Sequence, residues 1–176
     1  MRRVFLLAFL ALALPIAAWA DMIETNQYGS ISVSNAGIVV GATQKSQLTS
    51  WSGISTGPTM GYVRFSTGSL ASGSLSAGGT FNGGGSFIVT GVGSWARTLT
   101  GRSICGAGCA LFTGSFVGPV TLTLISPPGQ NLVFTLSGKI TGMLWDGRIV
   151  NGSTTQTLYS TNAQWSNGIG PSVWAM

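Results

Sequence analysis

The chain has no histidine and only three acidic residues, Asp21, Glu24 and Asp146. Imidazole titrates near neutral pH, and carboxylates are the other common means of moving a proton. General acid–base chemistry therefore has almost no players. A glycosidase sets two carboxylates across the scissile bond. Here Asp21 and Glu24 stand beside an expected processing site, and Asp146 belongs to the turn dipeptide Asp146-Gly147. Gly53-Ile54-Ser55-Thr56-Gly57 matches the G-x-S-x-G nucleophile elbow, but that motif needs a strand-to-helix turn and a base, usually histidine. In a chain with 27 glycines, such a match is expected by chance. Ser137 and Lys139 would share one face of a strand, yet nothing beside them marks an oxyanion hole, so they read as solvated. No glycine-rich phosphate loop with a suitably placed lysine is found. No catalytic residue and no cofactor is expected.

Cysteine is nearly as scarce. The two, Cys105 and Cys109, lie in SICGAGCALFTG. Zinc or copper would need further His, Cys or carboxylate ligands, so no metal site is expected. A redox centre favours Cys-x-x-Cys at a helix N-terminus, whereas this spacing is Cys-x-x-x-Cys between expected strands. In an exported chain the simplest outcome is a disulfide between them. A direct hairpin pairing of the flanks would set Arg102 opposite Phe112 and Leu99 opposite Ser115, mixing polar and apolar faces. Either a glycine bulge shifts the register, or the flanks are not hairpin partners.

Charge is sparse too, at 6% of residues. The basic side chains after residue 20 are Lys45, Arg64, Arg97, Arg102, Lys139 and Arg148, scattered singly for a net charge of +3. Nucleic acid demands a concentrated phosphate-neutralising patch, so it is not an expected partner. The apolar content of 44% argues against disorder, and Ser, Thr, Asn and Gln replace charge as the solvating groups.

What the chain does carry starts with MRRVFLLAFLALALPIAAWA. Arg2 and Arg3 precede an apolar run from Val4 to about Leu14, and Ala18-Trp19-Ala20 is a small-x-small cleavage site. The run is short for a membrane span and no stop-transfer pattern follows. Residues 1–20 read as a signal peptide and residues 21–176 as a single domain that is secreted, periplasmic or held at the cell surface, with no stable membrane insertion afterwards. Arg2-Arg3 also resembles a twin-arginine signal, without its usual flanking residues.

The dominant pattern after residue 20 has period two. In LSAGGTFNGGGSFIVTG, Phe81, Phe87 and Val89 share one face with glycines, while Thr80, Asn82, Ser86 and Thr90 share the other. Gly83-Gly84-Gly85 should bend that run. Phe112, Phe116, Val120, Leu122 and Leu124 alternate with Thr113, Ser115, Thr121 and Thr123. Leu132, Phe134, Leu136, Ile140 and Leu144 alternate with Thr135, Ser137, Lys139 and Thr141. Shorter strands are expected at 30–33, 37–41, 61–67, 94–100, 148–150 and 154–160, and no amphipathic helix stands out. Pro127-Pro128-Gly129, Asp146-Gly147 and Asn151-Gly152 read as turns, the last two as hairpin dipeptides whose central residues need positive φ. A recurrent Gly-Ser/Thr-large-apolar triplet, as in Gly85-Ser86-Phe87 and Gly114-Ser115-Phe116, drifts too much for a solenoid. It suits glycine facing large aromatics. The fold class that follows is all-β, a single antiparallel β-sandwich of jelly-roll kind, with a small β-barrel as the alternative. An outer-membrane barrel would need a more polar lumen than so few charges supply.

The expected function is non-catalytic contact, in adhesion, extracellular matrix or envelope structure. Its partners would be extracellular polysaccharide, envelope or matrix proteins, or copies of itself, because strand edges carry few charged gatekeepers. The alternative is a carbohydrate-binding module with an aromatic platform. Trp145, beside the Asp146-Gly147 turn with Arg148 across it, is its first candidate, followed by Tyr159, Trp165 and Trp174. Trp145 covering its own hairpin is the simpler expectation. An enzyme of unrecognised type ranks third. One prediction concerns the staple. The loop between Cys105 and Cys109 is short, so reducing it should lower stability by about 2 kcal/mol on the chain-entropy argument. Urea unfolding with and without reductant measures this.

Overall fold

In a computed structural model, the described residues are 22–26, 29–42, 45–57, 60–105, 108–125, 132–161, 164–167 and 171–175. For 22–26, 132, 159–161, 164–167 and 171–175 the description is of backbone alone. The expected signal peptide and the Pro127-Pro128-Gly129 turn lie outside them.

The chain is all-β and antiparallel. The strands are β1 (Met22–Asn26), β2 (Ser30–Ser34), β3 (Gly37–Val40), β4 (Ser46–Leu48), β5 (Gly61–Ser66), β6 (Leu70–Ser74) and β7 (Gly78–Phe81). They continue as β8 (Gly84–Gly91), β9 (Cys109–Leu124), β10 (Leu132–Leu144), β11 (Ile149–Thr161), β12 (Gln164–Asn167) and β13 (Pro171–Ala175). One helix, α1 (Gly93–Thr100), separates β8 from β9. The strands form one sheet in the order β12-β2-β3-β5-β4-β1-β13-β11-β10-β9-β7-β6. It is an open sheet with β6 at a free edge, rather than a closed barrel. It is also strongly curled, because β8 bridges β5 to β9, and β12 meets both β2 and β11.

Curling turns one face of the sheet onto itself. A single buried cluster draws Ile38 and Val40 from β3, Leu48 from β4, Val63 and Phe65 from β5 and Phe81 from β7. Phe134, Leu136 and Ile140 of β10 and Leu158 of β11 complete the far side. At its centre Phe65 stacks on Phe87 with centroids 5.4 Å apart, and Phe116 meets both edge-on at 5.7 Å. Room for these rings comes from neighbouring glycines. A Cβ on Gly138 would lie 2.9 Å from the Phe116 ring, and one on Gly142 would lie 2.7 Å from Phe112. Glycine within a strand costs about 0.5–1 kcal/mol against alanine, and burying a phenylalanine contributes about 1.5–3. The exchange favours the ring.

The alternation foreseen in the long strands is observed. Phe134, Leu136, Ile140 and Leu144 of β10 are buried, while Ser137 and Lys139 are exposed. The glycine bend is present as well, because β7 and β8 part at Asn82-Gly83 and run in succession along one edge of β9.

Three local expectations are corrected. The segment 94–100, expected as a strand, is helix α1. Its Ala96 is buried, Trp95 and Leu99 pack on the core, and the Trp95 indole donates to the Met60 carbonyl at 3.0 Å. That spacing of 95, 96 and 99 forms one helical face. Gly101 then ends the helix in the left-handed conformation, its N–H donating to the Arg97 carbonyl. Asn151-Gly152 is not a turn but the interior of β11, paired with Thr141 and Ile140 of β10. The Asp146-Gly147 hairpin is real but of another type. Only Gly147 has positive φ, and Leu144 pairs with Arg148 across a three-residue loop. That is a type I turn closed by a glycine bulge.

The disulfide joins Cys105 to Cys109, with Cα atoms 5.0 Å apart. Its flanks are not hairpin partners. Cys105 follows α1, whereas Cys109 opens β9 and pairs with Gly91 of β8. This resolves the clash of faces that the sequence posed.

Gly142→Ala should destabilise the chain by about 1–3 kcal/mol through overpacking against Phe112 and the facing strand. Gly147→Ala tests a backbone effect alone, because nothing lies within 4 Å of a Cβ there. Urea midpoints of the two variants separate the causes.

Candidate functional site

The sequence pointed first to Trp145. It is half-buried, packs on the core cluster, and meets the buried Trp51 edge-on at 5.9 Å. Its backbone N–H donates to the Leu111 carbonyl at 3.0 Å, which ties the hairpin tip to β9. The indole is therefore engaged with Trp51 and the core. Trp51 sits in a tight loop at the Trp51–Ile54 bridge, and its indole nitrogen has no hydrogen-bond partner among the described residues.

Arg148 is turned to Asp146. Its Nε–H donates to the Asp146 carboxylate at 2.7 Å, and its backbone N–H donates to the other oxygen at 3.1 Å. These hydrogen bonds hold the Asp146 carboxyl below its ordinary range. The pair is exposed at the turn. Tyr159 falls in β11, Trp165 in β12 beside Ile31 of β2, and Trp174 in β13 beside Ile23 of β1 and Thr154 of β11. The side chains of Tyr159, Trp165 and Trp174 lie outside the described residues. Ser55, of the G-x-S-x-G match, donates its hydroxyl to the Thr49 carbonyl in an exposed loop, and the loop has no strand-to-helix turn. No helix among the described residues is long and apolar enough to cross a membrane.

A further candidate lies elsewhere, on the outer face of β9, β10 and β11. It is an open groove of about 670 Å³. A bulge makes it. Ser137 pairs with Thr121 and Lys139 with Val117, so Gly118, Pro119 and Val120 stand opposite the single Gly138. Gly118 takes a φ of +75°, which L side chains rarely adopt, and Pro119 supplies no N–H to a ladder already broken there. The two extra residues preserve the alternation of β9, so Phe116 and Val120 both face the core. Val117 and Pro119 form one wall, and the backbone at Gly138 and Thr154 forms the floor. Beneath that floor Gln156 donates to the Thr154 hydroxyl at 3.0 Å, which satisfies a buried polar pair.

The groove polar groups are Thr121, Ser137, Lys139, Ser153 and Thr155. Successive strands lie about 4.8 Å apart and alternate residues about 6.7 Å apart, so these groups form a small grid. Their side chains make no hydrogen bond or ion pair with other described residues. Elsewhere on the outer face Thr141 pairs with Asn151 at 2.6 Å and Ser66 with Ser86 at 3.3 Å, while Thr113 and Thr123 bond to no other described side chain. The sequence had shown Ser137 and Lys139 on one face. The rest was hidden, because it depends on strand register. Its one visible signal was Gly118-Pro119 inside a strongly alternating strand.

The chain matches no known protein family, no curated protein and no solved structure.

The turn yields a pH prediction. A carboxyl lowered in the folded state contributes stability above its unfolded pKa and loses it as pH falls through the folded value. The Asp146 titration midpoint should therefore lie below the ordinary 3.8 and rise part of the way back in Arg148→Gln, because the backbone N–H of residue 148 still donates to the carboxylate. Carboxyl-detected NMR titration measures both.

Proposed function

We propose that this chain is an exported, non-catalytic contact protein, serving adhesion, extracellular matrix or envelope structure through the outer face of β9–β11. One observation carries the reading: the groove there gathers uncommitted hydroxyls and one ammonium on a rigid sheet. Its volume falls within the roughly 300–1,000 Å³ typical of ligand clefts. Polar groups held by strands rather than loops need little ordering on binding, which favours recognition.

Catalysis is less well supported by the same geometry. The Ser137 hydroxyl makes no hydrogen bond to Lys139 among the described residues, and a nucleophile needs its base within reach. Asp146 is engaged by Arg148 at the turn and does not line the groove. Export is supported by the N-terminal sequence pattern and by the Cys105–Cys109 bond, which persists in oxidising compartments.

The full chain can be incubated with insoluble extracellular polysaccharides and, separately, with chromogenic ester and glycoside substrates. Saturable retention without turnover is expected, and Ser137→Ala should leave background hydrolysis unchanged. Hydrolysis that rises with protein concentration and vanishes in Ser137→Ala overturns the reading.

A further inference from the structure

We infer that the β9–β11 groove binds a segment of acidic polysaccharide, with Lys139 meeting its carboxylates and the surrounding hydroxyls meeting its sugar hydroxyls. This rests on the contact function proposed above and names the ligand class of that same groove.

The charge pattern selects the class. Among the described residues Lys139 is the only ionisable one lining the groove; it is exposed and has no acidic partner there. An ammonium at a concave, carboxylate-free surface attracts an anion. A single cation is too few for the dense phosphates of a nucleic acid, which require a stripe of them. A ligand with widely spaced charges fits, such as one carboxylate per sugar.

The hydroxyl pattern narrows it further. Thr121, Ser137 and Thr155 form one row across three paired strands, and Ser153 lies beside Lys139 in the next row. Each hydroxyl both donates and accepts, as sugar hydroxyls do, so the two surfaces can exchange hydrogen bonds in either sense. Val117 is half exposed on the wall, and with Pro119 it offers an aliphatic surface to the C–H face of a sugar ring. A protein segment would demand a more apolar centre than two aliphatic residues provide.

The probes are polygalacturonate, its fully methyl-esterified form and dextran, and the readout is retardation of the full chain in affinity electrophoresis. Polygalacturonate should retard the protein, more weakly as salt rises, and the ester and dextran should retard it less. Lys139→Gln should weaken polygalacturonate binding about ten-fold, the size of one charge-assisted contact, and weaken dextran binding by much less. Arg148→Gln removes an equal charge outside the groove and should change neither. Ser137→Phe should fill the groove and weaken all binding, with near-UV circular dichroism of each variant checking the fold. Equal losses in Lys139→Gln and Arg148→Gln overturn the inference in favour of net charge alone. Equal binding of the acid and its ester, unaffected by Lys139→Gln, overturns the acidic ligand but keeps the contact function. If no polysaccharide binds and Ser137→Phe changes no retention on extracellular material, both fail.

Discussion

The inner-face aromatic cluster is the contact on which the rest of the structure depends. Phe65, Phe87, Phe112 and Phe116 belong to adjacent strands and share one face. Four rings that close together need thin neighbours, and glycine faces two of them, Gly114 opposite Phe87 and Gly84 opposite Phe116. One of the recurrent glycine–hydroxyl–apolar triplets, Gly114-Ser115-Phe116, follows from this geometry, whereas the glycine of Gly85-Ser86-Phe87 lies against the Ser66 backbone instead. In the first, the glycine sits beneath a ring, the serine takes the outer face, and the phenylalanine returns to the core. In Gly114-Ser115-Phe116 all three roles are visible, because a Cβ on Gly114 would meet the Phe112 ring while Ser115 and Phe116 take opposite faces.

The same economy shapes the outer surface. With almost no charge to spend, the sheet is solvated by hydroxyls in rows across β9, β10 and β11. The two-residue insertion at Gly118-Pro119 breaks one row and lifts a wall beside it. The groove is thus a by-product of strand geometry, and its floor is the backbone at Gly138, whose missing side chain makes room for Phe116 on the core side.

Much of this was legible beforehand, and the reasons are physical. Strand periodicity is a local property, so β9 and β10 could be read from Phe112 to Leu144 without knowing their partners. The bend at Gly83-Gly84-Gly85 was local too. Failures came where tertiary contact overruled local pattern. Residues 94–100 alternate tolerably as a strand, but Trp95, Ala96 and Leu99 form an equally good helical face, and the Met60 carbonyl and the glycines around Gly91 decide for the helix. Asn151-Gly152 carries turn chemistry, yet the pairing of β11 with β10 along their length keeps it extended. The groove could not be foreseen, because it depends on which residue of β9 stands opposite Gly138.

The pairing of β1 with β13 has a kinetic consequence. Met22 stands opposite Ala175, so this ladder joins the two ends of the described chain. By contrast β9, β10 and β11 follow one another directly and pair with their neighbours. Closing a long loop carries more entropy loss than closing a short one. The meander of β9 to β11 is accordingly the natural nucleus, and the terminal ladder zips last. Amide hydrogens in that ladder should exchange first when the native state breathes, well before those of the meander that carries the groove.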